Sequence, residues 1–559
     1  MITLLILDGY GIGEENEFNA IYKNSKNMKK LCGSFPSAML LASGEAVGLS
    51  AGQMGNSETG HLNIGAGRVV YQDLTRIDNL IKDNSLKNSE VFSKIKEHIK
   101  STKGKVHLMG LLSDGGVHSH IEHLKYLLKT LNKQRLPLVL HCFLDGRDTK
   151  VDSGLGFLRE IEGFILENKI NCEIADIVGR VYAMDREKRF DRVEMAYNLL
   201  TGGKYEEKYA GSVNEVENLE VALEKSYENG IFDEFVLPTK KAGTSFIEDG
   251  DAILAFNFRT DRMREIISAF GDKRFKEFGV KKFKNLFIAT MAEYDKTFRF
   301  ANVILKPEKI KNGLSEVLSK HGKTQFRISE TTKYAHITHF FNGGIEKAFD
   351  GEERVLIDSI NTQDFSAFPK MRAKEITKGA ISAINSKNYD FILINLSNAD
   401  MIGHTGNLKQ TQKAIRCVDD CLLKIAKASL KAGGDLIITA DHGNAEKMAD
   451  ESGVKMTAHT TNPVPVVLVS ERYKNARLKD GRLADLAPTI LSLMGIKVPK
   501  EMTGENLVRG EWYGKENLCL SINRPNFAGE RKVWREINSV CKRTCWRWCG
   551  LLALRHYGW

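Results

Sequence analysis

The sequence predicts an α/β protein of two domains, one inserted into the other. Three observations predict it. Short apolar runs recur between stretches of helical character, as buried parallel strands do. Charged groups follow each run within a few residues, and ligands of open α/β sheets sit beyond the carboxyl ends of the strands. These charged groups are of two kinds, and one kind occurs only in the middle of the chain.

The bulk composition narrows the class. A chain of 559 residues makes roughly two to four domains. Apolar content of 42% and charged content of 27% are ordinary for a globular protein. No run approaches the ~18 apolar residues of a membrane span, so no membrane partner is expected. The run Ile2–Leu7 follows no basic residue and ends in aspartate, unlike a secretory signal, and a cytoplasmic location is expected. Cys32, Cys142, Cys172, Cys417 and Cys421 show no CxxC spacing and no disulfide framework.

The net charge of +10 is uneven. Residues 511–559 hold nine Lys/Arg against four Asp/Glu, together with all five tryptophans and four of the nine cysteines. The remainder is only mildly basic, which argues against a nucleic-acid partner. Residues 511–559 are therefore set apart as an atypical tail. Its Cys541, Cys545 and Cys549 would share one helix face but match no zinc spacing.

The first kind of strand end carries carboxylates and imidazoles. ITLLIL is followed by Asp8, and FILINL leads to Asp400 and His404. DLIITA runs into Asp441 and His442, and His459 precedes the run VPVVLV. An aspartate after a strand is usually a turn or cap residue, and a lone histidine is usually structural. Three of each at one sheet edge would hold too much negative charge without cations. Mixed Asp/His ligation suits Mn²⁺ or Zn²⁺, and two ions more readily than one.

The second kind ends in arginine. VHLMGLL leads to Asp114 and His118, and LVLHCFL to Arg147 and Asp148. EIADIV leads to Arg180 and Arg186, and AILAFNF to Arg259 and Arg262. Arginine forks match phosphate and carboxylate, so the set reads as a site for a small ligand with more than one anionic group. One or two of the five arginines are expected to be surface ion-pair partners instead. Metal-type ends lie near residue 8 and from 400 onward, arginine-type ends only between about 110 and 262. The expected domains are therefore 1–75 with 305–510, and 76–304 inserted, with the crossings near 71–78 and 301–309 and a hinge there.

One polar stretch stands apart. Gln53–His61, QMGNSETGH, is either a turn or a loop presenting the hydroxyl of Ser57. Its G-x-S-x-x-G spacing is one residue longer than the hydrolase nucleophile elbow, so that motif does not apply.

Ten blocks in order resemble the cofactor-independent phosphoglycerate mutases of the alkaline phosphatase superfamily. Among them are MGNSETGHLNIGAGR at 54–68, SDGGVHSH at 113–120, DGRDT at 145–149, FNFRTDR at 256–262, NADMIGHTG at 398–406 and TADHGNAE at 439–446. The resemblance runs to about residue 510. It implies an alkaline-phosphatase-like metal domain interrupted by an inserted α/β domain, with the catalytic cleft between them. It implies one metal held by Asp400, His404 and His459, and a second by Asp8, Ser57, Asp441 and His442. Ser57 would be the nucleophile and become phosphoserine. The substrate would meet His118, Arg147, Asp148, Arg180, Arg186, Arg259, Arg262 and Lys333, with Asp148 as acid/base and Lys333 stabilising phosphoryl charge. The implied cofactors are two divalent ions, Mn²⁺ or another such as Zn²⁺, and not 2,3-bisphosphoglycerate. The implied partner is the small substrate alone, on a monomer. Thr59 and Thr260 depart from the family's usual valine and proline, and neither position has a named role. A phosphatase, a phosphopentomutase and a non-catalytic relative remain as alternatives.

Overall fold

The computed structural model describes residues 1–203 and 214–509. Residues 510–559, with the tail and its cysteine triplet, lie outside the described residues. The chain divides into two compact units, Met1–Tyr71 with Lys309 onward, and Gln72–Glu308. Among the described residues no helix is long and apolar enough to cross a membrane.

The first unit is built on an eight-stranded sheet. Its order is Glu352–Ile357, Gln325–Glu330, Phe391–Leu396, Ile2–Leu7, Asp435–Thr439, Val464–Val469, Ser37–Leu41 and Gly481–Arg482. The first five strands run parallel. Ile2–Leu7, Phe391–Leu396 and Asp435–Thr439 are buried along their whole length, as strands covered on both faces must be. The helix Leu408–Lys431 buries Thr411, Ala414, Ile415, Val418, Leu422 and Ile425, a stripe at helical spacing.

One strand departs from the parallel reading of the apolar runs. Val464–Val469 is antiparallel to Asp435–Thr439. Its reversed direction brings its beginning, and hence His459, to the edge where the parallel strands end. Gly9, at φ +73°, makes the turn after the first strand, where an added Cβ would lie 2.7 Å from the backbone of Asp400.

The second unit has its own eight-stranded sheet. The order is Ala301–Leu305, Phe287–Ala292, Ala252–Ala255, Val106–Leu112, Leu138–Leu144, Cys172–Gly179, Thr239–Lys241 and Asn214–Val216. All neighbours pair parallel except Cys172–Gly179 with Thr239–Lys241. Alternate residues of one strand enter different cores. Val106, Leu108 and Leu112 join Leu124 and Leu128, while Met109 and Leu111 join Tyr197 and Ile266. Helices thus cover both faces.

Candidate active site

Ser57 is the first residue of the helix Ser57–Ala66, which Asn56 caps by accepting the N–H of Thr59. Its hydroxyl is therefore held at a helix N-terminus, where negative charge is favoured. Ser57 Oγ lies 2.6 Å from Lys333 Nζ, 2.8 Å from His442 Nε2 and 3.2 Å from Asp8 Oδ1. Lys333 stands on the short helix Thr331–Ala335 and also reaches Asp8 Oδ1 at 2.7 Å and Asp400 Oδ2 at 2.7 Å.

The other residues of the first kind gather at the same place. Asp400 Oδ1, His404 Nε2 and His459 Nε2 form a triangle with sides of 3.1, 3.1 and 3.0 Å. His442 Nε2 lies 3.6 Å from Asp8 Oδ1 and 3.5 Å from Asp441 Oδ2. Asp400, His442 and His459 hold ligand atoms within 4.8 Å of one another, as do Asp8, Asp441 and His442. His442 thus belongs to both groups.

Electrostatics explain why such a cluster needs cations. Asp8, Asp400 and Asp441 are all at most 2% exposed. Burial and the neighbouring Asp441 push the Asp8 carboxyl up, against the pull of Lys333. Burial acts likewise on Asp400, but Lys333, His404, His459 and His442 outweigh it and hold that carboxyl well below its ordinary value. Burial opposes the charge of Lys333, and the three carboxylates overcome it and raise its pKa. One ammonium faces three buried carboxylates, and the oxygen and imidazole donors are those of Mn²⁺ and Zn²⁺. The residues present fit divalent ions.

In the second unit Arg180, Arg186 and Arg259 gather around three aspartates. Arg180, 2% exposed, donates from Nη1 to Asp145 Oδ1 at 2.5 Å and to Asp148 Oδ2 at 2.6 Å. His118 Nε2 lies 3.7 Å from Asp148 Oδ2. Asp261 pairs with Arg186 at 2.9 Å and Arg259 at 3.2 Å, and lies 4.0 Å from His118 Nδ1. Arg262 donates to the carbonyl of Met184 at 3.1 Å. Burial, with Arg180 and Arg259 nearby, lowers the His118 pKa to about 4, so this imidazole is neutral near pH 7. Burial, then Arg180, Arg186 and Arg147, also lowers the pKa of Arg262, a sign of cations crowded about one point. Arg147, Arg186 and Arg259 are exposed, and Arg147 pairs to Glu234 at 3.4 Å.

Several residues of these clusters carry no signal in the sequence. His61 places Nδ1 3.2 Å from Asp441 Oδ2 and Nε2 3.1 Å from Asn395 Nδ2, and Asn395 in turn donates to Asp8 Oδ2 at 2.8 Å. Asn444 donates to Asp400 Oδ1 at 2.9 Å. Asp145 and Asp261 orient the arginines. Each lies inside a block already quoted or beside one, but nothing in its spacing separates it from a turn residue.

A buried Asp/His cluster at the strand ends of an α/β sheet defines a metal-using enzyme, and the profile of the Metalloenzyme superfamily matches residues 1–498. The 2,3-bisphosphoglycerate-independent phosphoglycerate mutase of Clostridium tetani is 48% identical over 522 residues, covering 91% of this chain and 99% of its own. That of Acetivibrio thermocellus is 45% identical over 516 residues, with coverages of 91% and 99%. A crystal structure of Leishmania mexicana phosphoglycerate mutase at low cobalt concentration matches with TM-score 0.58 and 30% identity, covering 91% of this chain and 98% of that one. The chain belongs to the 2,3-bisphosphoglycerate-independent phosphoglycerate mutases.

Proposed function

We propose that this enzyme interconverts 3-phosphoglycerate and 2-phosphoglycerate through a phosphoserine on Ser57, using two divalent ions. The observation that carries the reading is the position of Ser57 Oγ, a helix-start hydroxyl within 3.2 Å of Lys333, His442 and Asp8. One ion would be held by Asp400, His404 and His459, the other by Asp8, Ser57, Asp441 and His442. Mn²⁺ suits these donors, as Zn²⁺ does. When bound, the ions supply positive charge at the phosphoryl oxygens and ease loss of the serine proton.

The chain's own residues do the rest. Ser57 reacts as the alkoxide, its proton passed to bulk water before turnover and the alkoxide regenerated at the end. Its Oγ attacks phosphorus in line, and the bond to the glycerate oxygen breaks. Asp148 gives that oxygen its proton, oriented by the 2.6 Å hydrogen bond from Arg180. Lys333 meets the charge on the phosphoryl oxygens. The arginines at 147, 180, 186, 259 and 262, with neutral His118, keep glycerate bound while it turns. Its other hydroxyl then loses a proton to Asp148 and takes the phosphoryl group back, restoring Ser57. Water must be kept from the phosphoserine throughout, or the enzyme would act as a phosphatase. This assigns phosphoryl chemistry to the unit of Met1–Tyr71 with Lys309 onward, and glycerate binding to Gln72–Glu308.

The test is a product assay with 3-phosphoglycerate and no bisphosphoglycerate. Formation of 2-phosphoglycerate, lost to a chelator and regained with Mn²⁺, is the expected result. Release of inorganic phosphate as the main product, or indifference to chelation, would overturn the reading.

A further inference from the structure

Glu446 takes no part in the chemistry above, yet its carboxylate is 2% exposed and fully engaged. Oε2 accepts the backbone N–H of Gly11 at 3.1 Å and of Asn444 at 2.8 Å. Oε1 accepts the hydroxyl of Thr460 and the side-chain N–H of Asn462, the latter at 3.0 Å. A carboxylate offers about four lone-pair sites, and these donors fill them. Glu446 therefore has no acceptor site left for a metal ion, and among the described residues it makes no ion pair.

The four donors come from three loops. Gly11 follows the strand Ile2–Leu7 and lies three residues after Asp8. Asn444 follows Asp441 and His442, and its side chain donates to Asp400 Oδ1 at 2.9 Å. Thr460 follows His459. Packing shows independently that these loops close on one carboxylate. An added Cβ would lie 2.4 Å from Glu446 Cδ at Gly11 and 2.3 Å from Oε1 at Gly443. Side chains at either position would push the loops apart.

We propose that Glu446 is a positioning residue for the metal centre, a clamp that fixes the loops carrying Asp8, Asp441, His442 and His459 before any ion binds. The inference rests on the two-metal reading above. Charge-assisted hydrogen bonds to backbone N–H groups are strong and directional, and a ligand loop held in place pays less ordering entropy when it takes an ion. Because one carboxylate ties loops from both ligand groups, its loss weakens both ions together. A second residue of that kind typically changes metal affinity by about 10–100-fold.

The experiment is Mn²⁺ titration by calorimetry on the full chain, with Glu446→Gln, Thr460→Val and Asn462→Ala compared with the parent. Glutamine keeps the length but turns an NH₂ toward donors, so about half of the bonds are lost. Glu446→Gln should bind both Mn²⁺ ions about 10–100-fold more weakly. At saturating Mn²⁺ its kcat should recover, with KM for 3-phosphoglycerate unchanged, since the arginines hold the substrate. Thr460→Val and Asn462→Ala each remove one of the bonds to Glu446 and should show the same effect in smaller measure. They carry the test if Glu446→Gln does not fold. Parent-like Mn²⁺ affinity in the folded variants, with only the unfolding temperature of the metal-free chain lowered, would overturn the proposal and leave Glu446 a structural residue. A parent chain that binds no Mn²⁺ would overturn the two-metal reading and this proposal with it.

Discussion

The Lys333 ammonium lies 2.6 Å from the Ser57 hydroxyl oxygen, although 276 residues separate them in the chain. The same nitrogen is 2.7 Å from Asp8 Oδ1 and 2.7 Å from Asp400 Oδ2. One cation thus stands between the proposed nucleophile and two of the buried carboxylates. Replacing Lys333 by Met keeps the stem and removes the charge. Steady-state kinetics should show kcat lower by about 10²–10³, as for loss of one group that stabilises charge in the transition state. An undiminished kcat would return Lys333 to a purely structural ion pair.

Arg259 and Arg262 are proposed to hold the glycerate part. Arg→Lys keeps the charge and loses the fork. Each substitution should lower kcat/KM about tenfold, the worth of one hydrogen bond to a charged group. The circular dichroism spectrum should not change. Unchanged kinetics in both variants would make them partners of Asp261 and Met184 and no more.

Acid should weaken the second unit through the buried His107. His107 Nδ1 lies 2.9 Å from His141 Nε2, and its Nε2 lies 3.1 Å from Asp251 Oδ2. Burial, only partly offset by the bond to Asp251, lowers the His107 pKa from 6.5 to about 4. Between those values the unfolded chain binds the proton that the folded chain refuses. This contribution is whole above the ordinary value and is lost as pH falls toward about 4. The loss between about pH 7 and about pH 5 should be about 2 kcal/mol, read from denaturant unfolding. His107→Gln should be less stable near neutrality and show a flatter pH slope. An equal slope in that variant would place the sensitivity elsewhere.

A chain ending at Gly510 should turn over as well as the full chain and be more soluble. Every residue with a proposed role precedes that point, and residues 511–559 carry all five tryptophans and four of the nine cysteines. Specific activity and light scattering of the two chains would decide. A large loss of activity would give the tail a role in the enzyme.

The strands made largely of apolar residues are legible in the sequence. VHLMGLL and LVLHCFL coincide with Val106–Leu112 and Leu138–Leu144. QFRISE, Gln325–Glu330, is not, because its buried side chains are largely polar. Their partners lie on other elements. Arg327 donates to Ser315 and the carbonyl of Ile337, and Glu330 accepts from Ser397 and Ser359. No periodicity reports such bonds. The direction of Val464–Val469 is hidden too, since an apolar run reads the same either way. At the site, Asp8, Asp400, Asp441 and the histidines are legible because they recur at strand ends. His61 is not, although it closes the polar stretch that holds Ser57. Its meaning depends on Asn395, 334 residues away.

The most direct test of the account is capture of the phosphoryl group on Ser57. The parent chain, mixed with labelled 3-phosphoglycerate and quenched, should carry label on Ser57 alone when its peptides are analysed by mass spectrometry. Ser57→Ala should fold, take no label and lose mutase activity. Label on another residue, or more than about a tenth of the activity kept by Ser57→Ala, would contradict the phosphoserine route.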